Sequence, residues 1–195
     1  MRLVLASASP RRAAILENAG FRFERRAVEI DETPLPGESA EACVLRLAAE
    51  KARRAAEGIE GPAFVIGADT LVVLDGEPMG KPVSAEDARR MLRRLSGHLH
   101  QVLTGVALLR LPDAELRQAV ETTAVTFAAL TEREIESYVA TGEPMDKAGA
   151  YGIQERGGCF VTRIEGCYFN VVGLPLARLC RMLRDSGWEQ EPPQA

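Results

Sequence analysis

The chain has 195 residues, of which 46% are hydrophobic and 27% charged, and its formal net charge is −4. This profile is typical of a globular protein that folds without a disulfide or metal framework, and the negative charge argues against sequence-independent binding to nucleic acid or anionic membrane. Because no apolar stretch approaches the ~20 residues needed to span a bilayer, we expect a cytoplasmic protein that binds neither nucleic acid nor membrane.

The turn, cap and apolar patterns of the chain predict a series of strands and helices. In order they are strand 3–7, helix 10–19, strand 21–30, loop 31–38, helix 40–57, strand 64–74 interrupted near 67–69, helix 85–95, strands 100–109 and 119–127, helix 131–142, glycine-rich loop 149–158, strand 160–164 and a last helix from 175. Ser9 is the expected N-cap of the first helix, and Ser84 with Asp87 and Thr131 with Glu134 resemble capping boxes. Strands and helices do not alternate regularly. We therefore predict an α/β fold with a mixed sheet and flanking helices, one domain over 1–188, and a frayed tail at 189–195.

Lysine is rare in this chain. Only three of its 24 basic residues are lysine, namely Lys51, Lys81 and Lys147. A coding preference for arginine replaces lysine wherever either residue is accepted. The positions that keep lysine are therefore candidates for sites that need a compact ammonium group rather than a planar guanidinium group.

The segment from Ser7 to Arg12 is the first candidate site. Arg11 and Arg12 are predicted in the first turn of a helix, where the positive end of the macrodipole disfavours each cation by about 0.3–1 kcal/mol. A bound anion would reverse that effect, and the hydroxyl groups of Ser7 and Ser9 would add hydrogen bonds to it. The segment predicts a phosphate site; the alternative is a solvated arginine pair.

Asp69 and Lys81 are the next candidates. Asp69, followed by Thr70, ends a buried apolar run, and a carboxylate in that position faces a cleft in many α/β proteins. Lys81 lies between Gly80 and Pro82, where its spacing does not match a P-loop but its ammonium can still point at a phosphate. The alternative for Asp69 is an aspartate that only forms a turn, and the alternative for Lys81 is a surface turn without a binding role.

Two further segments complete the candidate set. Asp31 and Glu32 are adjacent acids that, with Asp69, are suited to a divalent ion, since Mg²⁺ prefers one or two carboxylates plus phosphate oxygens. In the loop from 146 to 154, the glycines permit close backbone approach to a ligand, and Gln154 offers a donor and an acceptor to a nucleobase edge. The alternative for Asp31 and Glu32 is a solvated acidic pair, and the alternative for the loop is a purely structural role for its glycines.

Taken in order, these motifs resemble the Maf family of nucleoside triphosphate pyrophosphatases over residues 3 to 183. The loop from 148 to 154 is similar to that of the subgroup acting on dTTP and UTP. The resemblance implies an inosine-triphosphatase-like fold, with an elongated mixed sheet in two lobes around a central cleft. It also implies a divalent metal cofactor, Mg²⁺ or Mn²⁺, and a homodimer as a family-level expectation.

The resemblance also implies a role for each candidate residue. Asp69 is the catalytic acid/base and a metal ligand, with Glu32 as the second acidic metal position. The phosphate-binding basic positions are Arg12, Lys51 and Lys81, and the specificity positions are Arg11, Thr70 and Gln154. The start of the first helix adds Ser7, Ser9 and Arg11 to the phosphate-binding candidates. The chain departs from the family at Glu155, where glycine is usual, and at Cys167. We expect Glu155 to disturb the base pocket and Cys167 to matter little.

The predicted reaction is hydrolysis of dTTP, UTP and related pyrimidine nucleotides to the nucleoside monophosphate and pyrophosphate, as housekeeping of the nucleotide pool. The alternative is a nucleotide-binding regulator of cell division and septum formation that does not hydrolyse its ligand. The presence of Asp69 and Glu32 favours the enzyme, because a sensor needs only the basic groups.

Overall fold

The structure, a computed structural model, describes residues 1–188, and the predicted tail at 189–195 lies outside the described residues. Its strands are β1 (Arg2–Ala6), β2 (Glu24–Arg25), β3 (Ala63–Leu74), β4 (Glu77–Met79), β5 (Leu99–Leu111), β6 (Glu115–Phe127) and β7 (Val161–Glu165). Its helices are α1 (Pro10–Asn18), α2 (Ala40–Ala56), α3 (Ala85–Leu95), α4 (Glu132–Val139), α5 (Tyr168–Val172) and α6 (Leu176–Asp185). Short 3₁₀ segments cover Glu143–Asp146, Ala148–Ala150 and Arg156–Phe160.

The strands form one seven-stranded sheet in the order β2-β1-β3-β5-β6-β7, with β4 paired to β3. β1 runs parallel to both β2 and β3, and Leu3 and Ala6 pair with Phe64 and Gly67 of β3. β4 is antiparallel to β3, and β7 is antiparallel to β6. The predicted mixed α/β fold is confirmed.

The chain divides into two compact units. Of the described residues, the first unit holds 1–69, 104–121 and 173–188, and the second holds 70–103 and 122–172. Within the first unit, the alanine-rich face of α2 packs on the apolar side chains of β1 and β3. Within the second, aromatic and aliphatic side chains of α3, α4, β6 and the 3₁₀ segments form a separate core. Among residues 1–188, no helix is both long and apolar enough to cross a membrane.

Local hydrogen bonds begin the helices where the cap pattern predicts. Ser9 Oγ accepts from the N–H of Arg12 at 3.4 Å, and Thr131 and Glu134 form a complete capping box. Ser84 Oγ accepts from the N–H of Asp87, but the Asp87 carboxylate accepts from the N–H of the residue before the cap. Two of the three caps therefore follow the expected pattern fully, and that of α3 follows half of it.

Two strand expectations are wrong, and two short elements were not anticipated. The strand expected over 21–30 shortens to Glu24–Arg25, because β1 pairs with it at only two positions. β3 runs unbroken through Gly67, where the sequence indicated an interruption. Glycine at position 67 lets α2 pack closely on β3, because a Cβ there would contact the Ala48 carbonyl oxygen of α2. β4 and α5 were not anticipated, since both are short and carry little periodic signal.

Candidate active site

Lys51, Asp69 and Glu32 meet in the first unit. Lys51 Nζ lies 2.6 Å from Asp69 Oδ1 and 2.6 Å from Glu32 Oε1. Lys51 is 8% exposed and Asp69 7%, whereas Glu32 is exposed. The structure therefore brings together three of the predicted site residues around one buried ammonium group.

The packing of α2 on β3 positions this cluster. Ala48 and Ala52 are fully buried, and Gly67 has no side chain that would hold the helix away from the strand. Lys51 lies between these two alanines on the helix, and Asp69 lies two residues beyond Gly67 on the strand. The small side chains thus allow the two charged groups to reach each other across a close helix–strand contact.

The start of α1 supplies the next predicted residues. The Ser7 hydroxyl is buried and accepts from the N–H of Ser9 at 3.2 Å and from a guanidinium nitrogen of Arg12 at 3.3 Å. Arg12 Nε also donates to the carbonyl oxygen of Gly173 at 2.7 Å. Burial lowers the pKa of Arg12, and the nearby Asp69 carboxylate acts in the opposite direction. Arg12 is thus held by the protein, while Arg11 is half-buried beside it.

The second unit carries Thr70, Lys81 and Gln154. Thr70 continues β3 directly after Asp69 and is half-buried, and Lys81 and Gln154 are exposed. The N–H of Gly149 donates to the carbonyl oxygen of Gly80 at 3.0 Å. This bond joins the turn that carries Lys81 to the loop that leads to Gln154.

Lys147 and Glu155 lie at the base of the Gln154 loop. Lys147 is only 6% exposed, and its Nζ donates to Asp146 Oδ1 at 2.8 Å. Glu155 Oε1 lies 3.7 Å from the same Nζ, so the residue that departs from the family pattern faces a buried lysine. Cys167 donates its backbone N–H to Thr123 Oγ1 at 3.1 Å, a contact that does not depend on its side chain.

The carboxylates of Glu32 and Asp69 are the acidic groups available for a cation. Within the described part of the chain, no group of three or more His, Cys, Asp or Glu side chains is placed to hold a metal ion. Both carboxylates contact the same ammonium group. A pair of convergent carboxylates fits a hard divalent ion that takes its remaining ligands from phosphate oxygens and water.

A pocket of about 350 Å³ lies elsewhere, in the second unit. Its lining residues are Arg133, Glu134, Ser137, Tyr138, Thr141, Arg156, Cys159 and Phe160. None of these residues belongs to the predicted site.

Comparison with known proteins identifies the family. A family model described as Maf-like protein matches residues 2–186. The chain belongs to the Maf family. The resemblance inferred from the ordered motifs is therefore confirmed.

Relatives within the Maf family carry a common name. The chain is 56% identical over 189 residues to a dTTP/UTP pyrophosphatase of Anaeromyxobacter sp. (strain Fw109-5), covering 95% of this chain and 90% of the relative. It is 53% identical over 186 residues to a dTTP/UTP pyrophosphatase of Geobacillus sp. (strain WCH70), covering 95% and 98%. The chain also resembles the solved structure of the Staphylococcus aureus Ham1 protein, with a TM-score of 0.51 and 17% sequence identity. The match covers 95% of this chain and 100% of the Ham1 chain, and it shows that the two share a fold.

Proposed function

We propose that this protein is a nucleoside triphosphate pyrophosphatase that hydrolyses dTTP and UTP to the nucleoside monophosphate and pyrophosphate. The observation that carries the proposal is the buried Asp69 carboxylate, held at 2.6 Å by Lys51 beside Glu32. The name dTTP/UTP pyrophosphatase, borne by relatives 53–56% identical to this chain, supports the same reaction.

Asp69 acts on the attacking water. Lys51 donates to Oδ1 of this carboxylate. In the proposed reaction the other oxygen, Oδ2, accepts from the water and takes its proton as the water oxygen bonds to the α-phosphorus. The bond from that phosphorus to the bridging oxygen breaks, and pyrophosphate leaves with the electron pair.

Glu32 and Asp69 are the residues that would hold a Mg²⁺ or Mn²⁺ ion. When bound, such an ion neutralises phosphate oxygens and makes a nearby water more acidic. A free aspartate has a pKa near 3.9 and is a weak base at neutral pH. The proposed reaction therefore requires the added divalent ion as well as the carboxylate.

The basic residues neutralise the triphosphate. Arg12 and Lys51 are already held among the carboxylates of the first unit, and Arg11 and Lys81 add two more cations to the proposed site. Stabilisation of developing charge is the main source of catalysis in phosphoryl transfer. The hydroxyl groups of Ser7 and Ser9 and the first-turn N–H groups of α1 add hydrogen-bond donors for phosphate oxygens.

Gln154 selects the base, together with Arg11 and Thr70. A side-chain amide can donate to O4 and accept from N3–H of thymine or uracil. Adenine presents the reverse pattern of donor and acceptor, and guanine, whose O6 and N1–H present the same pattern, has a larger outline. A site that hydrogen-bonds one edge leaves buried groups unpaired when the wrong base enters. The reaction belongs in the cytoplasm under this proposal, where the nucleotide pool is made.

The test is pyrophosphate release by the purified full chain from dTTP, UTP, CTP, ATP and GTP, with Mg²⁺ or Mn²⁺ and with excess chelator. We expect release from dTTP and UTP at least ~10² times more efficiently than from ATP or GTP, and loss of release with chelator. Tight binding of dTTP without release of pyrophosphate would instead support a nucleotide-binding regulator.

A further inference from the structure

Gln154 lies at the tip of a loop with two limbs, residues 152–153 before it and 155–158 after it. Hydrogen bonds to one pair of side chains hold both limbs. The N–H of Gly152, two residues before Gln154, donates to the Tyr138 hydroxyl oxygen at 3.1 Å. The N–H of Gly157, three residues after it, donates to Glu143 Oε1 at 3.1 Å. All of these groups belong to the second unit.

One tyrosine–glutamate pair joins the two limbs. The Tyr138 hydroxyl donates to Glu143 Oε1 at 2.8 Å, and the N–H of Arg156 donates to Glu143 Oε2 at 3.2 Å. Burial raises the pKa of Tyr138, and so does its hydrogen bond to Glu143. The hydroxyl therefore stays protonated and can accept from Gly152 while it donates to Glu143.

The limbs are in direct contact at this point. A Cβ at Gly157 would lie 2.6 Å from the Tyr138 hydroxyl oxygen and 2.8 Å from the Gly152 carbonyl oxygen. A Cβ at Gly158 would contact the carbonyl oxygen of Ile153. Glycine is needed at both positions for close approach, so a movement of the Tyr138 hydroxyl is passed directly to the residues that flank Gln154.

Lys147 contacts both Glu143 and the loop. Its Nζ donates to the carbonyl oxygen of Glu143 at 2.7 Å, and a Cβ at Gly152 would lie 2.5 Å from its Cε. The buried lysine thus contacts both the glutamate and the first limb of the loop.

We propose that Tyr138 and Glu143, supported by Lys147, are positioning residues that hold Gln154 in place and thereby set the preference of the enzyme for pyrimidine triphosphates. The proposal rests on the proposed function, because selectivity through Gln154 is part of it. Neither Tyr138 nor Glu143 touches the reacting phosphates in this scheme. Their loss therefore alters recognition of the base rather than the chemical step.

The test compares Tyr138→Phe with Tyr151→Phe. Both tyrosines are buried in the second unit, at 4% and 6% exposure, and each variant removes one hydrogen-bonded hydroxyl group. The Tyr151 hydroxyl pairs with His100 Nε2 at 2.8 Å and not with the limbs of the loop. Tyr151→Phe is therefore a matched control for the general cost of a lost buried hydroxyl.

We expect Tyr138→Phe to lower the ratio of kcat/KM for dTTP over ATP at least tenfold, through a higher KM for dTTP with kcat changed less than threefold. Tyr151→Phe is expected to leave the ratio within threefold of wild type. Glu143→Gln, which keeps one acceptor oxygen, is expected to move the ratio in the same direction. An unchanged ratio in both Tyr138→Phe and Glu143→Gln would overturn the proposal.

A second measurement does not depend on turnover. Hydrogen exchange of the backbone amides at 152, 156 and 157 is expected to be faster in Tyr138→Phe than in Tyr151→Phe. Equal exchange in the two variants would overturn the proposal, whatever their kinetics. If wild type releases no pyrophosphate, the proposed function fails on its own, and the ratio of dissociation constants for dTTP and ATP replaces the kinetic ratio.

Discussion

The Nζ of Lys51 lies 2.6 Å from Oδ1 of Asp69, and both residues are less than a tenth exposed. Removing two charges from water costs several kcal/mol each, and their attraction offsets that cost only when the geometry is good. A buried pair of this kind is weak support for stability, but the contact fixes the orientation of the carboxylate. That arrangement is expected of a group that must meet a water molecule in one direction.

Asp69→Asn is expected to lower kcat at least ~10³-fold, because the amide keeps the size of the side chain but can neither accept the proton nor hold a divalent ion. The dissociation constant for dTTP is expected to stay within about threefold, since the basic residues remain. Asp75→Asn is the control, as Asp75 is exposed in the turn after the same strand. Pyrophosphate release near the wild-type rate would contradict the catalytic assignment.

Arg12→Ala, Lys51→Ala and Lys81→Ala are each expected to lower kcat/KM for dTTP by ~30-fold or more. Truncating one member of a charge cluster that the bound triphosphate desolvates costs about 2–5 kcal/mol, whereas an exposed pair is worth less than about 1 kcal/mol. Arg54→Ala is the control, because Arg54 lies on the same helix as Lys51 in an exposed pair with Glu57. Effects below threefold at all three positions would show that these cations do not contact the triphosphate.

Gln154→Ala is expected to narrow the difference in kcat/KM between dTTP and ATP more than it lowers activity on dTTP. The amide pairs with the pyrimidine edge, so its loss removes a difference between bases rather than a step of the reaction. Gln118→Ala is a matched control, since that side chain donates to the carbonyl oxygen of Leu45 in the first unit. An unchanged preference in Gln154→Ala would remove Gln154 from the base site.

Gly67→Ala is expected to lower the free energy of unfolding by about 1–3 kcal/mol and to reduce turnover as well. The added Cβ would contact the Ala48 carbonyl oxygen and lie 2.9 Å from the backbone nitrogen of Ala52, and neither atom can move without α2. Displacement of α2 carries Lys51 away from Asp69. Chemical denaturation checks the first effect, with Gly80→Ala as control because its Cβ meets no atom within 4 Å. Equal stability of the two variants would contradict the close packing at Gly67.

His100 is expected to make stability depend on pH. Burial lowers the pKa of this residue to about 4, and its Nδ1 has no hydrogen-bond partner within the described residues. Between pH 6.5 and 4 the unfolded chain binds one more proton at this site, so the free energy of unfolding falls as pH falls, by about 1.4 kcal/mol per pH unit. His100→Gln is expected to lose this slope in denaturation at pH 7 and pH 5. His98→Gln, at an exposed histidine, is expected to keep it.

Local hydrogen bonds and local periodicity are what the sequence by itself determined. Ser9 and Thr131 begin helices because each caps an N–H group three residues ahead, a relationship that needs no distant partner. The long α2 helix was likewise predicted from its own alanine- and arginine-rich composition. The ordered motifs, read together, were enough to indicate the family, and they placed Lys51 and Asp69 among the site residues.

The tertiary structure decided what depends on distant partners. β2 shortened because a strand lasts only as far as its neighbour pairs with it, and β3 continued because Gly67 serves the packing of α2 rather than a turn. The sequence singled out Lys147 as one of three lysines among 24 basic residues, within the loop from 146 to 154, and the structure buries it beside the first limb of the Gln154 loop. Tyr138 and Glu143 carried no sequence signal at all. Their contacts join segments 14 residues apart, and a contact of that kind is created by packing rather than by local pattern.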